Sequence, residues 1–185
     1  MIHKTVFDKG FRMSDGDFGY NYHKSLTDKL DNSKKSFDQN SINEIVLWKV
    51  SRYVDIKSNV LKLINSIDIE STKIDKEKTA KILEELLLTK GIQLPMASTI
   101  LRFKNKKNYQ IIDQRVFRII YKGEKLKLKT YPSTKNIQLQ IELYFRYLQD
   151  LKVACKKLNI PFSDSDRILF MADKRINKDL PLDNY

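Results

Sequence analysis

Cysteine is almost absent from this chain, whose 185 residues include only Cys155. A single cysteine excludes an internal disulfide, and it excludes a zinc or iron–sulfur site with four cysteine ligands from this chain alone. No apolar run approaches the roughly 20 residues of a membrane-spanning helix. The first 20 residues also lack the apolar stretch of a secretory signal. These absences predict a cytoplasmic protein, and nothing in the sequence indicates a metal or another cofactor.

Positive charge is abundant and unevenly distributed. The formal net charge is +12, and residues 86–135 contribute twelve Lys or Arg against two acids, a net of +10. The other 135 residues together carry only +2. Clustered positive charge is typical of proteins that bind a polyanion, whereas evenly spread lysine is typical of a solvated surface. The clustering therefore favours nucleic acid as the partner.

Apolar residues recur at helical spacing along most of the chain, which predicts an all-α fold. The segment SINE at 41–44 has the pattern of a capping box and predicts that Ser41 opens a helix. Asp75 and Asp113 are placed to cap two later helices, and Gly91 has the position of a C′ glycine. The predicted helices begin near 41, 57, 76, 95, 114, 137 and 163–166. The helix that begins near 137 runs to about 158, and its spacing predicts one buried face formed by Ile141, Tyr144, Phe145, Leu148, Leu151 and Cys155.

The first 40 residues differ from the rest, because aromatic side chains alternate there with glycines and no clear helical period appears. They predict an N-terminal extension, 1–40, formed of a loop with short helical or extended pieces, that packs on a helical body covering 41–185. Neither a repeat nor a low-complexity linker divides the chain further.

The stretch KGIQLP at 90–95 joins two predicted helices by a short turn. Gly91 allows a close approach of the backbone, and Pro95 suits the first turn of a helix. A helix–hairpin–helix of this kind directs the amides of its turn toward DNA phosphates. An ordinary αα-hairpin of a helical bundle has the same outline, so the turn alone leaves both interpretations open.

The hairpin and the residues that follow it resemble the motif of a known family. The hairpin TKGIQLPMASTIL is followed by the apolar approach YQII, by Asp113 and by the helix QRVFRII. This order resembles the helix–hairpin–helix (HhH-GPD) superfamily of base-excision-repair DNA glycosylases, whose hairpin reads L-P-G-[VI]-G-x-x-[TS]-A-x-x-[IL]-L and precedes a catalytic aspartate. Gly91 and Asp113 stand 22 positions apart, which is similar to the family's interval. The resemblance covers about 85–121 and extends weakly to 41–67.

The resemblance implies an HhH-GPD-like DNA glycosylase fold, and a monomer that hydrolyses the N-glycosidic bond of a damaged or mismatched base in duplex DNA. It implies that Asp113 is catalytic. The segment WKVSRYVDIKSN is similar to the helix with the family's wedge or pocket residue, which suggests Trp48 and Arg52 for that role. The implied DNA contacts are Lys90, Gly91, Gln93, Met96, Ala97, Arg115 and Arg118. For the two arginines, an ion pair with Asp113 is the alternative to contact with phosphate.

Cleavage of a glycosidic bond gives a chemical reason for a carboxylate at position 113. Cleavage of a glycosidic bond builds positive charge on the sugar, and a nearby carboxylate stabilises that charge or activates water. The simpler interpretation of Asp113 as a helix cap is compatible with this role. A non-catalytic DNA-binding module and an RNA-binding protein remain as alternatives.

Two residues of the hairpin depart from the family's pattern. Gln93 stands in place of the second hairpin glycine. Pro95 occupies the position at which the bifunctional glycosylase/lyases have their Schiff-base lysine, so the resemblance predicts a monofunctional hydrolase.

Overall fold

The computed structural model describes residues 7, 9–19, 22–33, 36–129 and 131–182. Within these ranges the chain forms helices and no strand, which confirms the all-α prediction. No helix in these ranges has both the length and the apolar character needed to cross a lipid bilayer. Short 3₁₀ turns lie at Asp15–Phe18 and Phe162–Asp164. The α-helices are α1 (Lys24–Asp31), α2 (Gln39–Lys49), α3 (Ser58–Asn65), α4 (Lys76–Leu88), α5 (Leu94–Lys104), α6 (Gln114–Ile120), α7 (Thr134–Leu158) and α8 (Ser165–Ile176).

The chain divides into two compact units, Met1–Tyr53 and Val54–Tyr185. The first unit contains α1 and α2, which pack against each other. The second contains α3 to α8 and the main hydrophobic core. The sequence suggests a boundary at 40/41, and in the structure α2 belongs to the first unit.

Helix α2 begins earlier than the sequence pattern predicts. Its N-cap is Asp38, whose carboxylate accepts a hydrogen bond from the backbone N–H of Ser41 at 2.7 Å. The prediction that Ser41 opens the helix is wrong, because the aspartate three residues earlier satisfies the amide of Ser41. Ile42 and Val46 of α2 and its C-cap residue, Val50, follow one another at helical spacing, and all three are exposed. Helical spacing identifies residues that share a face, but it does not say whether another element covers that face.

Helix α7 contributes the longest buried face of the second unit. It packs against α4 and α6. Ser133 caps its start by accepting a hydrogen bond from the backbone N–H of Asn136. The inward face predicted from the sequence is confirmed at Ile141, Tyr144, Leu148, Leu151 and Cys155, whereas Phe145 is only partly buried.

The α4–α5 hairpin has the predicted order with a different helix end. Helix α4 ends at Leu88, so Gly91 is not its C′ residue; it lies inside the turn with φ of +89°. Backbone in this left-handed region favours glycine, which explains the residue type at this position. Gln93 is the N-cap of α5, and Pro95 is the second residue of the helix, where a missing N–H leaves no intrahelical bond unmade.

Candidate active site

Asp113 is the N-cap of α6, as the sequence predicts. Its Oδ1 accepts hydrogen bonds from the backbone N–H of Arg115 at 2.7 Å and of Val116 at 3.4 Å. Its other carboxylate oxygen, Oδ2, accepts no hydrogen bond from any residue that the structure describes. One oxygen therefore fixes the carboxylate to the helix, while the second remains open to a ligand.

The extended stretch before Asp113 is held by side chains of two other helices. Tyr144 of α7 donates its hydroxyl hydrogen to the carbonyl oxygen of Gln110 at 3.0 Å, and Tyr147 donates to that of Ile111 at 2.7 Å. The backbone N–H of Ile112 donates to Oγ of Ser98 in α5 at 3.1 Å.

Both tyrosines are buried, and burial raises the pKa of each hydroxyl well above its ordinary value. Both hydroxyls therefore remain protonated, and able to donate hydrogen bonds, at neutral pH. The three successive residues before Asp113 are each tied to the core, which fixes the direction in which the chain presents this carboxylate.

A cavity of about 370 Å³ lies beside Asp113. Its walls come from the extended stretch, from α6 and from α8, and most of its side chains are apolar. Phe170 presents a flat aromatic ring there. The Arg115 guanidinium lies over this ring at 5.6 Å from its centroid, and the Lys174 ammonium lies at 5.8 Å. The lining residues are Ile111, Asp113, Val116, Asp166, Arg167, Phe170 and Met171.

Asp166, the second acid at this cavity, is paired inside the protein. Its Oδ2 lies 3.4 Å from Nε of Arg102, and both side chains are at least 95% buried. The Arg102 guanidinium also donates to the carbonyl oxygen of Ser163 at 3.2 Å. The negative charge of Asp166 is therefore balanced by α5, and its Oδ2, although it makes no hydrogen bond, is buried against Arg102. Oδ2 of Asp113 makes neither an ion pair nor a hydrogen bond with any residue that the structure describes.

Arg115 and Arg118 pair with a third acid, Asp173 of α8, rather than with Asp113. Arg118 makes two bonds to Asp173, Nε to Oδ1 at 2.7 Å and the terminal nitrogen to Oδ2 at 2.8 Å. Arg115 reaches Oδ2 at 3.2 Å. Asp173 is completely buried, so these bonds join α6 to α8. The alternative of a pair with Asp113 is wrong, and contact of these arginines with phosphate stays a prediction.

The hairpin residues predicted to contact DNA have unequal access to a ligand. Lys90, Gly91, Gln93 and Met96 are exposed. Ala97 is completely buried, and its backbone N–H donates to the carbonyl oxygen of Gln93. Ala97 is therefore a packing residue of the hairpin, and its prediction as a DNA contact is wrong.

The basic window 86–135 is less uniform in space than in sequence. Four of its twelve cations pair with carboxylates that lie outside the window: Arg102 with Asp164 and Asp166, Lys107 with Glu70, and Arg115 and Arg118 with Asp173. The other eight are all lysines. A count along the sequence misses these partners, because most of them belong to α8 and to the turn before it.

Trp48 and Arg52 belong to the first unit. The indole N–H of Trp48 donates to Oγ1 of Thr27 at 2.9 Å, and its ring meets that of Tyr22 edge-on at 5.3 Å. These contacts join α2 to α1 and its start, which is a packing role for Trp48. Arg52 is exposed. A pocket or wedge role for either residue stays a prediction.

Four cavity residues of α8 are missing from the site predicted by the sequence. They form two pairs four residues apart, Asp166 with Phe170 and Arg167 with Met171, and such pairs lie on one side of a helix. From the sequence, this spacing could have indicated that the four residues share one side of α8. Nothing in one sequence, however, pairs this side of α8 with Asp113.

Comparisons with known proteins do not add to the assignment, because no protein-family model, curated protein or solved structure matches the chain. Function must therefore be inferred from the carboxylate, the cavity, the hairpin and the distribution of charge.

Proposed function

We propose that this chain is a monofunctional DNA glycosylase of the helix–hairpin–helix type, which binds duplex DNA, takes a damaged or mismatched base out of the stack and hydrolyses its glycosidic bond. The observation that carries the proposal is the position of Asp113, a helix cap with one uncommitted carboxylate oxygen at the edge of an apolar cavity. Asp38 and Asp75 also cap helices in the described chain, so capping alone does not distinguish Asp113.

The cavity suits the base that leaves. A base must come out of the duplex before its glycosidic bond is accessible, and pockets for such bases offer apolar and aromatic surfaces for stacking. Phe170 and Met171 supply that kind of surface next to Asp113. The volume of about 370 Å³ falls within the usual size of small-ligand sites, roughly 300 to 1,000 Å³.

In the proposed reaction, the bond between C1′ of the sugar and the base nitrogen breaks, and the bonding electrons leave with the base. The Asp113 carboxylate stabilises the positive charge that develops on the sugar. Water then bonds to C1′ through its oxygen, and the base leaves with one proton, so that one water molecule is consumed. The products are a free base and an intact strand with an abasic sugar.

The test is a panel of labelled duplexes that each carry one altered base: uracil, hypoxanthine, an alkylated purine, an oxidised purine or a G·T mismatch. Supporting results are free base detected by chromatography and a strand break at the lesion after treatment with alkali. Tight duplex binding with no base released from any member of the panel would identify a non-catalytic DNA-binding module instead. Preference for RNA of the same sequence would identify an RNA-binding protein.

The product predicted from Pro95 can be checked separately. A glycosylase/lyase attacks C1′ with an amine and forms a Schiff base, and Pro95 has no side-chain amine. Lys90 lies before the turn. Lys104 lies at the far end of α5, nine residues or about 13.5 Å along the helix axis from Pro95. Borohydride added during turnover should therefore trap no covalent protein–DNA adduct. An adduct that survives denaturation and disappears when one lysine is replaced would contradict this prediction.

A further inference from the structure

Residues 125–129, KLKLK, alternate between solvent and core, and they are called the lysine strip here. Lys125, Lys127 and Lys129 are exposed, Leu126 is buried, and Leu128 packs partly buried against the core. This alternation is typical of an extended chain, in which successive side chains point to opposite sides. Alternate residues are then about 6.6 Å apart, so the strip presents a row of ammonium groups on one side.

The strip is anchored beside the hairpin turn. Leu128 shares the wall of a small crevice with Ile92 and Gln93 of the turn and with Leu87 of α4. From α7, Nε2 of Gln140 donates to the backbone carbonyl oxygen of Lys129 at 3.2 Å. The leucine side of the strip is therefore fixed to the same core that carries the hairpin, which leaves the lysine side outward.

We propose that the lysine strip binds the phosphate backbone of duplex DNA alongside the hairpin turn, and that it supplies much of the electrostatic contribution to binding. Three basic side chains of the window, Arg102, Arg115 and Arg118, are bound to internal carboxylates, so the free energy of phosphate contact must come largely from lysines. A row of lysines on fixed backbone matches a polyanion with regularly spaced charges. The inference rests on the duplex binding in the proposed function and does not depend on base excision.

The experiment measures the affinity of the full chain for a fluorescent, undamaged duplex between 50 and 200 mM salt, for the parent and two variants. The test variant is Lys127→Gln with Lys129→Gln, which keeps the backbone carbonyl that Gln140 binds. The control is Lys156→Gln with Lys157→Gln, which removes the same charge from the exposed last turn of α7. Lys125 is left unchanged, because it also borders a separate cavity next to α6.

Each phosphate contact contributes about −0.9 to the slope of log affinity against log salt. The test variant should therefore bind more weakly, with a slope less negative by about 1.8, while the control keeps the parent slope. An unchanged slope in the test variant, or equal changes in both variants, would overturn the proposal. So would a preference of the parent for single-stranded RNA over the duplex. A parent that shows this salt dependence but releases no base would contradict the glycosylase and leave the lysine strip supported.

Discussion

Replacing Asp113 by asparagine is expected to slow base excision by about a hundredfold or more while duplex binding is kept. The neutral amide cannot stabilise the positive charge of the transition state, and loss of one well-placed electrostatic contact costs roughly 10² to 10³ in rate. Asparagine caps helices about as well as aspartate, so α6 should keep its start and the free energy of unfolding should change by less than about 1 kcal/mol. Single-turnover excision and denaturant unfolding of both proteins measure the two effects.

Asp75→Asn is the matched control for this substitution. Asp75 caps α4 through a 3.0 Å bond from the backbone N–H of Lys78, and its side chain is exposed. The two variants therefore make the same chemical change at the same kind of helix position. Asp75→Asn should excise at the parent rate. If Asp113→Asn also excises at the parent rate, Asp113 is only a cap and the proposed reaction does not use it.

Asp173→Asn is expected to lower the free energy of unfolding by about 3 kcal/mol, because it leaves two partly buried arginines without their carboxylate. Glu70→Gln is the control, since the Lys107–Glu70 pair is well exposed and such pairs contribute about 0 to 1 kcal/mol. Denaturant titration monitored by circular dichroism would measure both. Equal small effects would show that the α6–α8 link is dispensable for stability.

The pH dependence of stability offers a second measurement on the same carboxylate. Burial by itself raises the pKa of Asp173, but the hydrogen bonds from Arg118, Asn177 and Arg115 outweigh burial, and the pKa lies below its ordinary value. A carboxyl with a lowered pKa stabilises the fold fully above its unfolded pKa, about 3.9, and this contribution is lost as the pH falls through the folded pKa. The difference in the free energy of unfolding between the parent and Asp173→Asn should therefore be constant near neutral pH and should shrink below about pH 4.

The helix caps and the buried face of α7 could be predicted because they depend on residues close together in the sequence. A helix cap depends on one side chain and the two or three amides that follow it, so Asp75 and Asp113 could be recognised without any knowledge of the tertiary structure. The buried face of α7 followed from spacing alone. Where two capping residues compete within one turn, as Asp38 and Ser41 do, the pattern does not decide between them.

The rest of the site depends on contacts between distant segments. Arg115 and Arg118 are three residues apart on α6, which suggests a common partner, but Asp173 follows 58 and 55 residues later. The apolar wall of the cavity has the same origin, since Phe170 meets α6 only because α8 packs on it. Residue types and spacing identify candidates for such contacts, but only the packing of the helices selects among them.

The hydrogen bonds from α7 also determine when, during synthesis, the stretch before Asp113 can be fixed. The tyrosines that hold the stretch before Asp113 come 34 and 36 residues after the carbonyl groups they bind. A nascent chain that has emerged only as far as α6 contains the hairpin and Asp113 but neither of these donors. Because α7 must be synthesised and must dock before this stretch is held, the hairpin leaves the ribosome before the direction of the Asp113 carboxylate is fixed.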